Sequence, residues 1–241
     1  MLRLGLVLAA CAVMAAGCGD SPSGPTDGGS VPTLSRTRFL AFGDSITAGE
    51  VTAPVGGGIH KMILVPTASY PSNLLSQLSA TYPTQVASLR VANSGMPGEK
   101  IFGGAERFPA VLTADLPEAV LIMEGVNDLW SIGPDVTTEL LRTMVQTAKG
   151  WGVRVFVGSM LPTVPGRSRS VNPADLEALN ARLKRMAAEE GAVYVDLYTP
   201  LQPEASRFIG VDGLHPNEAG YRRVAQIYFH AIQKSLEVTS R

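Results

Sequence analysis

The chain has 241 residues, 45% of them hydrophobic, which is enough for one domain with a sizeable buried core. Its formal net charge of −1 argues against a basic nucleic-acid-binding surface, and its 17% of charged residues argue against an acidic disordered chain. Both cysteines, Cys11 and Cys18, lie near the start. The remainder of the chain therefore has no disulfide, thiol nucleophile or thiolate metal site.

The first residues resemble a secretory signal peptide. Residues 4–17 are almost wholly apolar, follow the single charge of Arg3 and end in small residues. This run is too short to span a bilayer, which takes roughly 20 residues, so it predicts a signal peptide over residues 1–17. The position of Cys18 resembles the lipobox of bacterial lipoproteins, in which that cysteine carries the lipid, although the residue three positions earlier, Ala15, is not leucine. An ordinary secretory signal with a chance cysteine is the alternative.

Residues 18–35 are rich in Gly, Ser, Pro, Thr and Asp. Such a composition predicts a flexible tether, because it offers too little apolar surface to form a core. A domain follows over residues 36–241. This order of signal peptide, cysteine, tether and domain is typical of a membrane-anchored protein. We therefore expect an exported lipoprotein, held to the membrane through Cys18 at the cell surface or in the periplasm.

The domain alternates between short apolar runs and amphipathic stretches. The apolar runs predict strands at Phe39–Phe42, Gln85–Val91, Ala119–Met123, Val153–Val157 and Val193–Val195. The stretches between and after them predict helices that start near Pro71, Ala105, Asp135, Pro173 and Pro216. Five such alternations predict an α/β fold with a five-stranded parallel sheet between two layers of helices, in the flavodoxin-like order 2-1-3-4-5. The long segment Glu50–Ser69 is either a flap that faces the substrate or an ordinary surface excursion.

Ser45 directly follows the first predicted strand. It should therefore lie at the carboxyl edge of the sheet, where ligands bind in open α/β folds. Serine alone is a weak nucleophile, so it needs a base, a group that orients the base, and donors for a developing oxyanion. The rest of the chain offers candidates for all three.

Asp212 and His215 are three residues apart across a glycine-containing turn, just before the last predicted helix. The carboxylate can accept from one imidazole nitrogen, which leaves the other nitrogen to face a nucleophile. Gly98 follows the second predicted strand, where a backbone N–H can approach a ligand closely. Asn127 follows the third strand and offers an uncharged amide donor. With the N–H of Ser45 these groups make three candidate donors to an oxyanion.

Four segments together resemble the SGNH (GDSL) hydrolases. They are Gly43-Asp-Ser-Ile-Thr47, Asn93-Ser-Gly-Met-Pro-Gly98, Gly125-Val-Asn-Asp128 and Asp212-Gly-Leu-His-Pro-Asn217, in this order. The resemblance implies the α/β/α sandwich of that family over about residues 36–241. It also implies Ser45 as nucleophile, His215 and Asp212 as the rest of the triad, and Ser45, Gly98 and Asn127 as the oxyanion hole.

The resemblance implies a serine esterase that needs no metal or organic cofactor. We expect a monomer that acts on carboxylic esters with short or medium acyl chains and binds no nucleic acid. A cell-surface carbohydrate acetylesterase is the alternative among enzymes, and a catalytically silent lipoprotein that binds glycans or lipids is the alternative from another class. A nucleotide-binding flavodoxin-like protein has no support, because no phosphate-cradling glycine loop opens a helix.

The remaining candidates are weaker. Trp130 lines a substrate pocket or packs in the core, and Arg167 meets an anionic substrate group or is solvated. His60 and His230 are expected to be structural or exposed, so a zinc site is not expected. Asp44 is expected to cap or orient the nucleophile loop.

Overall fold

The computed structural model describes residues 31–57 and 59–239. The predicted signal peptide, Cys18 and most of the predicted tether lie outside these residues. No helix in the described part of the chain is both long and apolar enough to cross a membrane.

The described residues form nine strands and seven α-helices. The strands are β1 (Pro32–Leu34), β2 (Arg38–Gly43), β3 (Glu50–Gly56), β4 (Ile59–Leu64), β5 (Arg90–Gly95), β6 (Ala119–Met123), β7 (Arg154–Gly158), β8 (Val193–Val195) and β9 (Glu237–Thr239). The helices are α1 (Ser45–Ala48), α2 (Tyr70–Thr81), α3 (Ile101–Asp115), α4 (Gly133–Gly150), α5 (Pro173–Glu189), α6 (Ala205–Phe208) and α7 (Glu218–Leu236). Short 3₁₀ helices lie at Pro66–Ala68, Pro83–Gln85, Val126–Asp128 and Gln202–Glu204.

Five strands form one parallel sheet in the order β5-β2-β6-β7-β8. The central strand β2 pairs with β5 on one side and with β6 on the other, so Leu40 lies opposite both Ala92 and Val120. Counted among the sheet strands alone, this order is 2-1-3-4-5, which confirms the predicted fold. Helices cover both faces, and for this reason Leu40 and Val120 have no exposed surface.

The helices begin where the sequence supplies capping groups. Asn172 accepts a hydrogen bond from the N–H of Ala174 and starts α5, and Asn217 accepts from the N–H of Gly220 and starts α7. Helix α2 packs against α7, where the rings of Tyr70 and Tyr228 stack with their centroids 5.2 Å apart. A stacked aromatic pair of this kind contributes about 0.5–1.5 kcal/mol beyond the burial of its area.

Several predicted boundaries differ from the structure. The second strand of the sheet is Arg90–Gly95 rather than 85–91, because Gln85 ends a 3₁₀ turn and its amide pairs with the backbone N–H and C=O of Leu34. Asp135 lies in the first turn of α4 and does not cap it. A contact with the distant Leu34 decides the position of Gln85, and local periodicity does not show such a contact.

Strands β1 and β9 join the two ends of the described chain as an antiparallel pair. Leu34 is 4% exposed and packs into the core. The last residues of the predicted tether therefore belong to the folded unit, because a partner strand from the other end of the chain supplies their hydrogen bonds. The tether over residues 18–30 stays a prediction.

The segment after Ser45 forms a hairpin of β3 and β4. Its strands expose Val55, Ile59 and Leu64 to solvent. The hairpin contacts α1, which carries Ser45, so it lies beside the predicted nucleophile. Whether it acts as a flap over substrate stays open.

Candidate active site

The nucleophile segment is a tight turn between β2 and the short helix α1. Asp44 caps α1 by accepting a hydrogen bond of 2.9 Å from the N–H of Ile46, as expected. A Cβ atom at Gly43 would come within 2.1 Å of the carbonyl oxygen of Met123, so only glycine fits where β2 ends. Gly49 ends α1 with φ of +97°, a conformation that favours glycine. This turn places Ser45 at the carboxyl edge of the sheet.

Ser45, His215 and Asp212 form a continuous hydrogen-bonded chain. The Oγ of Ser45 lies 2.9 Å from Nε2 of His215, and Nδ1 of His215 lies 2.5 Å from Oδ2 of Asp212. The three residues are 2%, 0% and 0% exposed. The contacts fix which imidazole nitrogen meets each partner, because the carboxylate needs a donor at Nδ1.

The turn that holds His215 also satisfies the carboxylate of Asp212. Its Oδ1 accepts from the N–H groups of Leu214 and His215 at 3.1 Å, and Gly213 permits the turn with φ of +86°. Burial alone would raise the pKa of Asp212. The hydrogen bonds from His215 and from the two backbone N–H groups outweigh it and lower the pKa. Asp212 is therefore held as a carboxylate at neutral pH.

Arg167 lies beside this turn. A Cβ atom at Gly213 would come within 2.4 Å of the Cβ of Arg167, and the N–H of Val164 donates to the carbonyl of Gly213 at 2.9 Å. Arg167 and Thr52 line a cavity of about 270 Å³ there. A larger groove of about 840 Å³ lies between α2, α6 and α7 and is lined by His230, but by no residue of the predicted triad or oxyanion hole.

The other predicted donors lie at the ends of the neighbouring strands. Gly98 follows β5, has φ of +72°, and within the described residues its N–H donates to no protein acceptor. Asn127 lies in the 3₁₀ turn after β6, and its Nδ2 donates to the carbonyl of Glu99 at 2.8 Å. One N–H of that amide remains for a further acceptor. The N–H of Ser45 belongs to the first turn of α1, where helices leave donors without an internal acceptor.

The comparisons with known proteins agree with this arrangement. Residues 41–223 match the model of the GDSL-like lipase/acylhydrolase family. The chain belongs to this family. It is thus a carboxylic ester hydrolase of the GDSL type.

Two curated relatives of this GDSL hydrolase are esterases. Esterase TesA of Pseudomonas aeruginosa is 30% identical over 57% of this chain and 66% of that protein. An acetylxylan esterase of Geobacillus stearothermophilus is 25% identical over 82% of this chain and 94% of that protein. Among solved structures, a lipase/acylhydrolase from Enterococcus faecalis superposes with a TM-score of 0.67 at 23% identity, covering 85% of this chain and 99% of that one.

In this GDSL hydrolase, three buried carboxyl groups lie close together near the turn that carries Ser45, and they belong to Asp44, Glu99 and Glu124. Glu124 is fully buried, and within the described residues neither of its oxygens has a hydrogen-bond partner. Burial, with the nearby charges of Asp44 and Glu99, raises the pKa of Glu124 to about 10. Burial likewise raises the pKa of Asp44 to about 7.

Sequence reasoning missed Glu50 as a member of the site. Its Oε2 lies 3.6 Å from Nε2 of His215, and its side chain is 16% exposed. No pattern in the sequence marks this residue, because the contact depends on how β3 leaves helix α1. Its closeness to Ser45 in the chain was the one available signal.

Within the described residues, the remaining candidates make no hydrogen bond to Ser45, His215 or Asp212. Trp130 is 55% exposed and follows the turn of Asn127, and His230 is exposed on α7. Nε2 of His60 lies 3.4 Å from Oγ of Ser168, so it links the hairpin to the loop of Arg167. Across the described residues of the GDSL hydrolase, no group of three or more His, Cys, Asp or Glu side chains is placed to hold a metal ion.

Proposed function

We propose that Ser45 is the nucleophile of this esterase, with His215 as its general base and Asp212 as the group that orients His215. The observation that carries this assignment is the buried chain of hydrogen bonds from Ser45 through His215 to Asp212. A protein that only binds glycans or lipids has no need of such a chain. Family membership also favours the enzyme over the binding protein.

In the proposed mechanism, Oγ of Ser45 attacks the ester carbonyl carbon while Nε2 of His215 takes the hydroxyl proton. The negative charge on the carbonyl oxygen is stabilised by the N–H groups of Ser45 and Gly98 and the amide of Asn127. The C–O bond of the ester then breaks, and His215 gives its proton to the leaving alkoxide. Water activated by the same nitrogen hydrolyses the acyl group from Ser45.

The proposed substrates are esters with short or medium acyl chains. Carbohydrate acetyl esters are the second candidate, and the observation that favours them is the similarity to an acetylxylan esterase along 94% of that protein. Both candidates use the same chemistry and differ in the alcohol that leaves. Trp130 and Arg167 are the residues proposed to contact substrate.

We also propose that the enzyme is exported and anchored through a lipid on Cys18, and that it acts as a monomer. The apolar run before Cys18 and the polar residues after it support export and anchoring. Radiolabelled palmitate should enter the full-length protein in a bacterial host and should be absent from Cys18→Ser. Equal labelling of both proteins would contradict the anchor. Sedimentation of residues 31–241 tests the monomer.

The decisive experiment is hydrolysis of p-nitrophenyl acetate, butyrate, octanoate and palmitate by residues 31–241 and by Ser45→Ala. We expect turnover that is fastest with the shorter chains and falls by about 10⁴-fold or more in the variant. The melting temperature of the variant should stay close to that of the wild type, because the change removes one hydroxyl group. Equal activity in both proteins would remove Ser45 from the mechanism.

Acetylated xylan or xylo-oligosaccharides test the second candidate. A kcat/KM well above that for p-nitrophenyl acetate would make the carbohydrate ester the better assignment. Slower hydrolysis of the glycan than of simple alkyl acetates would favour the general esterase.

A further inference from the structure

Glu50 places a second carboxylate next to the catalytic imidazole. Its Oε2 lies 3.6 Å from Nε2 of His215, whereas Asp212 contacts the opposite nitrogen. Within the described residues, the carboxylate of Glu50 accepts no hydrogen bond from a protein donor, so its lone pairs are available to a ligand. Neither the triad nor the proposed oxyanion donors use it.

The backbone holds Glu50 in this place. The hydroxyl of Tyr221 donates to the carbonyl of Glu50 at 2.6 Å, and the N–H of Val65 donates to the carbonyl of Gly49 at 2.9 Å. Gly49 has φ of +97°, and a Cβ atom there would come within 2.8 Å of Ser69. The chain therefore leaves helix α1 in one direction, and the first residue of β3 faces His215.

In the proposed mechanism, Nε2 of His215 donates the proton to the leaving alkoxide. That transfer requires the leaving oxygen to lie about 2.6–3.2 Å from Nε2. The carbon atoms next to the leaving oxygen must then pass close to the carboxylate of Glu50. A carboxylate is an acceptor alone, so it favours hydroxyl donors and cations and repels anions.

We propose that Glu50 is a specificity-determining residue that selects the leaving alcohol. Its carboxylate accepts a hydrogen bond from a hydroxyl group next to the ester oxygen, as in glycerol and sugars, and it repels alcohols that carry an anionic group there. The inference rests on the proposed role of His215 as the proton donor to the leaving group. It concerns the alcohol side of the site and makes no claim about the acyl chain.

Three acetates on one three-carbon frame test this selection. They are propyl acetate, glycerol 1-acetate with hydroxyl groups, and 3-acetoxypropanoate with a carboxylate. The wild type should prefer glycerol 1-acetate over propyl acetate and should hydrolyse the anionic ester most slowly. In Glu50→Gln, which keeps the shape but removes the charge, we expect the preference for glycerol 1-acetate to shrink by about 10-fold, the size of a charge-assisted hydrogen bond. The discrimination against the anionic ester should also shrink, because the repelling charge is gone.

Two controls separate this selection from a general effect. Glu106→Gln makes the same change of charge on the exposed face of α3 and should leave the three relative rates unchanged. If Glu50→Gln changes all three rates by one common factor, Glu50 acts through His215 alone and the selection of the alcohol is overturned. If Glu50→Gln does not fold, the wild type still tests the proposal, because salt screens the repulsion of the anionic ester. A relative rate of the anionic ester that does not rise with added salt, or no preference for glycerol 1-acetate over propyl acetate, overturns it.

The Ser45→Ala variant distinguishes failure of this inference from failure of the proposed function. Ester hydrolysis that depends on Ser45 but shows no preference among the three alcohols overturns the role of Glu50 alone. Hydrolysis that persists in Ser45→Ala overturns the proposed mechanism and this inference with it.

Discussion

At the residue scale, Asp212 and Glu124 are two buried carboxyl groups whose pKa values shift in opposite directions. Both carboxyl groups have no exposed surface. Asp212 receives hydrogen bonds from His215 and two backbone N–H groups, which lower its pKa against the effect of burial. Glu124 has no such donor in the described residues, and its pKa rises to about 10. Donors decide which of the two is a charged group at neutral pH.

Asp212→Asn should decrease kcat by roughly 10⁴-fold, because the amide favours the wrong tautomer of the imidazole. The hydrogen-bonded turn around Oδ1 can remain, so the protein should still fold. Steady-state kinetics with p-nitrophenyl acetate measure the loss, and circular dichroism reports the fold. A rate close to that of the wild type would remove Asp212 from the triad.

Glu124 should make the protein less stable as pH rises. The folded protein keeps the proton of Glu124 up to about pH 10, whereas the unfolded chain releases it near the ordinary value of 4.5. Between these values the unfolded state binds fewer protons, so the free energy of unfolding falls with pH by at most about 1.4 kcal/mol per unit from this group.

Glu124→Gln removes this proton and should flatten the fall in stability between pH 6 and pH 9. Urea unfolding at several pH values measures the slope, and Glu106→Gln on the surface is the matched control. Equal slopes in the wild type and Glu124→Gln would mean that Glu124 has the same affinity for protons in both states.

At the scale of elements, one ion pair ties α3 to the strand ends around the site. Arg107 on α3 pairs with Glu99 and donates to the carbonyl of Ser94 at the end of β5 at 2.9 Å. Its guanidinium also lies 4.0 Å from the ring centroid of Phe42 in β2. The carbonyl of Glu99 in turn holds the amide of Asn127 after β6. The ends of three sheet strands are thus connected through the side chains of Arg107, Glu99 and Asn127.

Arg107→Gln should lower the free energy of unfolding by about 3 kcal/mol, because it leaves the carboxylate of Glu99, only 4% exposed, without its cation. The double variant Arg107→Gln with Glu99→Gln should recover part of this loss, since no charge is then left unpaired. Urea unfolding of the two single variants and the double variant measures the difference. Strictly additive losses would mean that the pair contributes no interaction energy.

At the scale of the whole molecule, β1 and β9 connect the two ends of the described domain. Besides the strand pairing, Leu34 packs into the core and its N–H donates to the side chain of Gln85 at 2.7 Å. The domain is therefore closed by residues that composition alone placed in a tether. Removal of β1 should therefore lower the stability of the domain and leave the active site unchanged.

A protein that begins at Arg36 should melt about 5 °C below one that begins at Val31. Burial of one leucine is worth about 1.5–3 kcal/mol, and each kcal/mol shifts the melting temperature by about 2–4 °C in a domain of this size. Calorimetry on the two proteins measures the shift, and kcat/KM on p-nitrophenyl acetate should agree between them. Equal melting temperatures would show that the pair of strands contributes nothing to stability.

The sequence by itself determined the order of the parallel sheet and the segments that meet at its carboxyl edge. Apolar runs such as Ala119–Met123 mark buried strands, and the alternation of strands and helices leaves few possible topologies. Because parallel strands end at one edge, residues just after them, Ser45 and Asn127 among them, are brought near one another without any knowledge of side-chain contacts.

Tertiary structure alone decided the contacts that depend on direction and distance. The 3.6 Å approach of Glu50 to His215, the absence of any donor to Glu124 within the described residues, and the pairing of β1 with β9 follow no local pattern. For Glu50 and for β1 the partner lies far away in the chain, and for Glu124 no hydrogen-bond donor lies within reach among the described residues. The periodicity of a sequence shows neither a distant partner nor the lack of a donor. Fold class is a property of local pattern, whereas pKa values and specificity depend on the packed environment.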